Sequence, residues 1–137
     1  MKIAFFDTHE FEKNIFSVMS KDYGIEIEFL NMRLDYASAS LAEGFQVVCS
    51  FVNDKIDRKC IGILRERGVR LILLRSAGFN HVDIAAANEA GVTVARVPGY
   101  SPNAVAEFAE TFFAAAAITP VIPARAGIER PNLHIVS

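Results

Sequence analysis

The sequence predicts an α/β domain built on a doubly wound, five-stranded parallel sheet. Three observations carry that expectation. Strand-like and helix-like segments alternate five times along 137 residues. The connections between them are short. The inner strand-like runs are apolar without alternation, the pattern of strands covered on both faces.

Each element has its own justification. Lys2–Phe6 is a short apolar run ending in Asp7-Thr8, whose side chains suit a helix start. A helical period follows, with Phe11, Ile15, Val18 and Met19 on one face and Glu12, Lys13 and Lys21 assigned to the outside. Gly24 ends it. Ile25, Ile27 and Phe29 alternate with Glu26 and Glu28, which predicts a half-exposed strand near a sheet edge. One short helix is expected around Ser38–Ala42. Val47–Val52 reads as a buried strand closed by Asn53-Asp54. Asp57–Arg67 reads as a helix with Ile56, Cys60, Ile63 and Leu64 inward, stopped by Gly68. Val69–Leu74 is the next buried strand, Asp83–Ala90 a short helix before Gly91, and Val92–Val97 a fifth strand. Ser101-Pro102 opens a helix as N-cap and first helical residue. It places Val105, Phe108, Ala109, Phe112 and Phe113 on one apolar face and ends by Pro120. Right-handed crossovers then favour a flavodoxin-like arrangement for residues 1–100. Residues 101–137 divide into the 101–118 helix and an irregular arm.

Composition narrows the function classes. The hydrophobic fraction of 52% excludes a disordered chain, and a net charge of −2 gives no basic footprint for nucleic acid. Cys49 and Cys60 have no metal-ligand spacing and read as small core hydrophobes, so no metal site is expected. No stretch resembles a secretory signal or a membrane span, which makes a cytoplasmic protein with no membrane partner the expectation.

In a doubly wound sheet, ligands bind beyond the carboxyl ends of the strands. The loop Arg75-Ser76-Ala77-Gly78-Phe79-Asn80 stands out there, because small residues let its backbone approach a ligand. Successive N–H groups in such a turn suit a carboxylate, although an ordinary strand-to-helix turn has the same composition. In the loop Val97-Pro98-Gly99-Tyr100-Ser101-Pro102, an aromatic hydroxyl sits beside a helix start. His81 is assigned to a solvent-facing helix start, His9 and His134 are isolated, and Arg75 is expected to have a structural partner. The eight glycines stand at 24, 44, 62, 68, 78, 91, 99 and 127, so G-x-G-x-x-G is absent. With it goes the backbone cradle for a dinucleotide pyrophosphate.

The strings F-V-N-D (51–54), L-R-S-A-G-F-N-H-V-D (74–83) and R-V-P-G-Y-S-P-N-A-V-A-E (96–107) resemble the D-isomer-specific 2-hydroxyacid dehydrogenases, in particular the NAD-dependent D-lactate dehydrogenases. The resemblance covers about residues 1–109 in register. It implies the substrate-binding domain of such an enzyme, often labelled its catalytic domain. By that similarity, Ala77 and Gly78 would hold a substrate carboxylate through their backbone. Phe51 and Tyr100 would flank a small 2-oxo or 2-hydroxy acid. The family sometimes has Tyr where Phe51 stands, so a hydroxyl contact there is lost.

The resemblance also implies NAD and a Rossmann domain following this segment. The family's catalytic Arg, Glu and His lie in or beyond that domain, and no residue here matches them. The chain alone is therefore expected to be inactive and to bind no cofactor. After Ala109 the sequence departs from the family, with Glu110-Thr111-Phe112-Phe113, an alanine run and two prolines. The alternative reading is a truncated, non-catalytic interaction module that forms a homo-oligomer through the 101–118 helix and its Phe108, Phe112 and Phe113 face. A response-regulator receiver shares the topology, but it needs an acidic pair after the first strand and a late Lys. This chain has Asp7 alone there, and no Lys follows Lys59.

Overall fold

Six strands of three or four residues each form one sheet in the computed structural model, which describes residues 2–76, 78–96 and 134–136. They are β1 (Lys2–Phe5), β2 (Glu26–Phe29), β3 (Val47–Ser50), β4 (Leu71–Leu74), β5 (Thr93–Arg96) and β6 (His134–Val136). Among the described residues three helices accompany them, α1 (Glu10–Tyr23), α2 (Arg58–Glu66) and α3 (Ile84–Ala90), with a 3-10 turn at Ala39–Ala42. The sheet order is β2-β1-β3-β4-β5-β6. The first five strands run parallel, in the order of a flavodoxin-like doubly wound sheet. Strand β2 lies at an edge and half exposed, as its alternation requires.

Side chains alternate across a strand, so register sorts the core into two faces. Ile3 lies opposite Val47 and Val47 opposite Leu71, while Phe5 lies opposite Cys49 and Cys49 opposite Leu73. That face receives α1, whose Phe16 meets Phe5 edge-on at 4.7 Å. On the other face Ala4, Val48, Ile72, Leu74 and Val94 pack with Cys60, Ile61 and Leu64 of α2 and Ala86 and Ala87 of α3. Each fully buried Leu, Ile or Phe contributes about 1.5–3 kcal/mol of burial energy. The helix boundaries are set by caps. Asp57 accepts from Cys60 N and Asp83 from Ala86 N, both at 2.9 Å. Gly24 and Gly91 close α1 and α3 in the left-handed region, at φ 64° and 75°.

Three details differ from the sequence expectation. Helix α1 is seated on the sheet by Glu12 and Phe16, both fully buried, and not by the Phe11, Ile15, Val18 and Met19 row. The helix turns this way because Glu12 is the partner of a buried arginine and Phe16, one turn on, fills the space beside Phe5. In α2, Cys60 and Leu64 are buried as expected, but Ile61 and not Ile63 is buried with them, Ile63 being only half-buried. The stretch read as an irregular arm contains β6, which runs antiparallel to β5 with Ala95 opposite Ile135. Its three residues are too few for a period to show. The predicted helix over 101–118, its Phe108, Phe112 and Phe113 face and the residues Ala77 and Tyr100 lie outside the described residues.

No helix among the described residues is long and apolar enough to cross a membrane. Cys49 and Cys60 are free and buried. Burial pushes both thiols up to about 12, against the pull of the nearby Arg75 guanidinium in the case of Cys49. Relative to the ordinary value of 9.0, that lowers the thiolate fraction about 10³-fold. In a disulfide-exchange assay at pH 8, both thiols are expected to stay silent in the native chain and to react at once in urea. Fast native labelling of either would contradict the packing.

Candidate functional site at the carboxyl ends of the strands

The loops after β1, β3 and β4 meet at one edge of the sheet, and one side chain ties two of them to α1. Arg75, the residue after β4, is fully buried. Its Nε donates to Glu12 Oε2 at 2.5 Å and its Nη2 to Glu12 Oε1 at 3.0 Å, a bidentate pair. Nη1 donates to the Phe6 carbonyl at 3.0 Å and Nη2 to the Asp7 carbonyl at 2.8 Å. The expected structural partner of Arg75 is thus Glu12, and the guanidinium has no nitrogen left over for a ligand. Glu12 also accepts from His9 N at 3.0 Å, which closes the first turn of α1. Asp7 adopts φ 51°, a left-handed conformation that Asp tolerates better than most residues. The bond from Asp7 N to the Met32 carbonyl and the one from Arg75 hold it there.

Phe51 stands half-buried above this cluster. Its ring lies 4.9 Å from the Arg75 guanidinium and meets the His9 ring edge-on at 5.1 Å. Asp54 fixes the loop that carries it. This nearly buried carboxylate accepts from Phe51 N at 3.0 Å and from Leu34 N at 2.9 Å. Burial raises its pKa above the ordinary 3.8, while those two N–H bonds work in the opposite direction.

The loop after β4 is stitched to the loop after β3. Ile56 N donates to the His81 carbonyl and Asp83 N to the Ile56 carbonyl, both at 2.9 Å. Ser76 Oγ donates to the Gly78 carbonyl at 2.8 Å. Gly78 is exposed, its backbone is outside the left-handed region, and a Cβ built on it meets nothing within 4 Å. Neither backbone conformation nor packing among the described residues calls for a glycine there. His81 is not turned to solvent as expected. It is half-buried, with Nε2 at 3.5 Å from Ser50 Oγ, and burial lowers its pKa below 6.5. The loop stitch at its own carbonyl turns the ring in toward β3.

Of the sequence-predicted site residues, Phe51 and Gly78 therefore stand on adjoining, mutually hydrogen-bonded loops; Ala77 and Tyr100 lie outside the described residues. Glu12 and Asp54 organise the site and were not singled out from the sequence. A charged residue directly after an apolar strand was the available signal for the buried pair. Among the described residues no cluster of His, Cys, Asp or Glu could hold a metal ion.

The family model for the D-isomer specific 2-hydroxyacid dehydrogenase catalytic domain covers residues 3–127. The chain belongs to this family. The 2-hydroxyacid dehydrogenase homolog 1 of Schizosaccharomyces pombe is 48% identical over 108 residues, 79% of this chain and 32% of that protein. The apo structure of D-lactate dehydrogenase from Escherichia coli superposes with a TM-score of 0.71 at 42% identity, covering 79% of this chain and 34% of that one. The NAD-complexed D-isomer specific 2-hydroxyacid dehydrogenase from Lactobacillus delbrueckii ssp. bulgaricus gives a TM-score of 0.69 at 29% identity, with 86% and 35% covered. The chain thus spans about a third of the length of these relatives.

NAD, the family's cofactor by resemblance, does not fit the described residues. A dinucleotide cradle of the Rossmann kind presents free N–H groups of a helix N-terminus to the pyrophosphate. Here those starts already face carboxylates of the chain itself: Glu12 at α1, Asp57 at α2 and Asp83 at α3.

Proposed function

We propose that this chain is the substrate-binding part of an NAD-dependent D-2-hydroxyacid dehydrogenase that interconverts a small 2-oxo acid and its D-2-hydroxy acid, pyruvate and D-lactate being the reference pair. Phe51 and Tyr100 flank the substrate, and the backbone at Ala77 and Gly78 receives its carboxylate. Hydride transfer and the cofactor site belong to a nucleotide-binding domain. The chain alone binds the acid weakly, binds no NAD and turns nothing over. A cytoplasmic location goes with this reading, as do two buried free thiols.

The observation that carries the reading is Gly78. It is exposed at the carboxyl edge of the sheet, on a loop hydrogen-bonded to the one that carries Phe51, and a Cβ there would meet nothing within 4 Å among the described residues. Amide spectra of the chain titrated with pyruvate test it. Shifts are expected at Phe51 and Gly78 with a Kd above about 1 mM, since one or two backbone hydrogen bonds supply only about 1–3 kcal/mol. Gly78→Ala is expected to leave stability unchanged or raise it by about 0.4–1 kcal/mol. The same substitution is expected to weaken the pyruvate response at least about threefold, because its methyl occupies the ligand's space. An unchanged response in that variant, or none in the parent chain, would overturn the assignment.

A further inference from the structure

The seat that Glu12 and Phe16 impose on α1 leaves an apolar row facing outward. Phe11 is 42% exposed and Val18 65%, with Ile15 and Met19 half-buried beside them. Asn14, Ile15, Val18 and Met19 line an open groove of about 400 Å³. The spacing 11, 15, 18 is i, i+4, i+7, the seam of a helix pair.

We propose that this face docks a second copy of the same chain, the two α1 helices lying antiparallel across a two-fold axis. The row suits such a contact because Ile15 and Val18 flank the helix midpoint. Reversing one helix sets each Ile15 against the Val18 of the second copy, as an isologous interface requires. Charge selects the direction. Beside the seam, the outer row runs Glu10, Asn14, Ser17, Lys21, acidic at its start and basic at its end. Antiparallel pairing keeps this row on one side of the seam and brings each Glu10 toward the second copy's Lys21; parallel pairing would carry the two rows to opposite sides and lose that contact. The opposed helix dipoles favour the same direction. The neighbouring sheet edge is a poor competitor, since β2 carries exposed Glu26 and Glu28 that would repel their counterparts in an edge-to-edge pair.

A contact confined to one helix is smaller than the standard interface, so association is weak and must be read over concentration. In sedimentation equilibrium at low salt, the average mass of the whole chain is expected to rise from one chain at about 10 µM toward two at about 1 mM. Val18→Glu, at an exposed position that the fold does not use, is expected to stay at one chain mass throughout. Glu10→Lys is expected to weaken association about three- to tenfold, and Glu10→Lys with Lys21→Glu to restore it, with helix content checked by circular dichroism. A parent chain that is monomeric at every concentration overturns the proposal. So does Val18→Glu associating like the parent, which would place the contact on another surface. Failure of the double exchange to recover overturns the antiparallel pairing.

Discussion

Replacing Glu12 by alanine is expected to lower the unfolding free energy by about 3–5 kcal/mol, the largest effect of any single substitution in this fold. The cost comes from what is left behind. Arg75 is fully buried and always protonated, and without Glu12 it would keep as hydrogen-bond acceptors only the Phe6 and Asp7 carbonyls and the Cys49 sulfur, beside the Phe5 and Phe51 rings. His9 N would lose its acceptor as well. The neutral pair Glu12→Leu with Arg75→Met separates the charge problem from the packing problem. It removes both ions and fills similar volume, so it is expected to recover most of the loss. Urea unfolding of the parent chain and the two variants measures this directly. A loss below about 1 kcal/mol for Glu12→Ala would mean that water reaches the guanidinium.

This same pair marks the boundary of what was legible in the sequence. Strands β3 and β4 read clearly because they are covered on both faces, and a short apolar run without alternation, bounded by turn residues, suits a buried strand. Strand β2 read clearly for the opposite reason, since its two glutamates alternate out of an edge. The seat of α1 did not read clearly. Periodicity assigns a carboxylate to solvent, and it has no means of knowing that an arginine 63 residues later is buried beneath that helix. The outward apolar row is a consequence of the same conflict. At the candidate site, Phe51 and Gly78 are proposed from motif similarity, and the structure sets them on adjoining, hydrogen-bonded loops. Asp54 serves backbone N–H groups of two separate loops, and no pattern of side-chain types records where an N–H will point. The sequence pattern misplaces His81 for a related reason, its ring direction being set by the stitch between Ile56 and Val82.

Asp54 gives the second large effect, and one with a pH signature. Asp54→Ala leaves Leu34 N and Phe51 N without acceptors, and a lost bond to a charged group costs about 1.5–3 kcal/mol, so the pair together is expected to cost about 2–4 kcal/mol after the relief of the buried charge. Asp54→Asn keeps one acceptor oxygen but turns a donor toward the other N–H, so a smaller loss is expected. The native carboxyl holds its proton more tightly than the unfolded one, whose ordinary value is 3.8, because burial disfavours its charge. The folded chain therefore binds more protons than the unfolded chain between 3.8 and the raised value. Stability from this group is complete below that window and is lost as pH rises through it. Asn carries no such proton, while all other groups titrate alike in both proteins. The stability gap between parent and Asp54→Asn is accordingly expected to narrow as pH rises from the ordinary 3.8 through the raised value. A gap that widens as pH rises would show that the N–H bonds to Leu34 and Phe51 outweigh burial, and that Asp54 holds the Phe51 loop as a firmly ionised carboxylate.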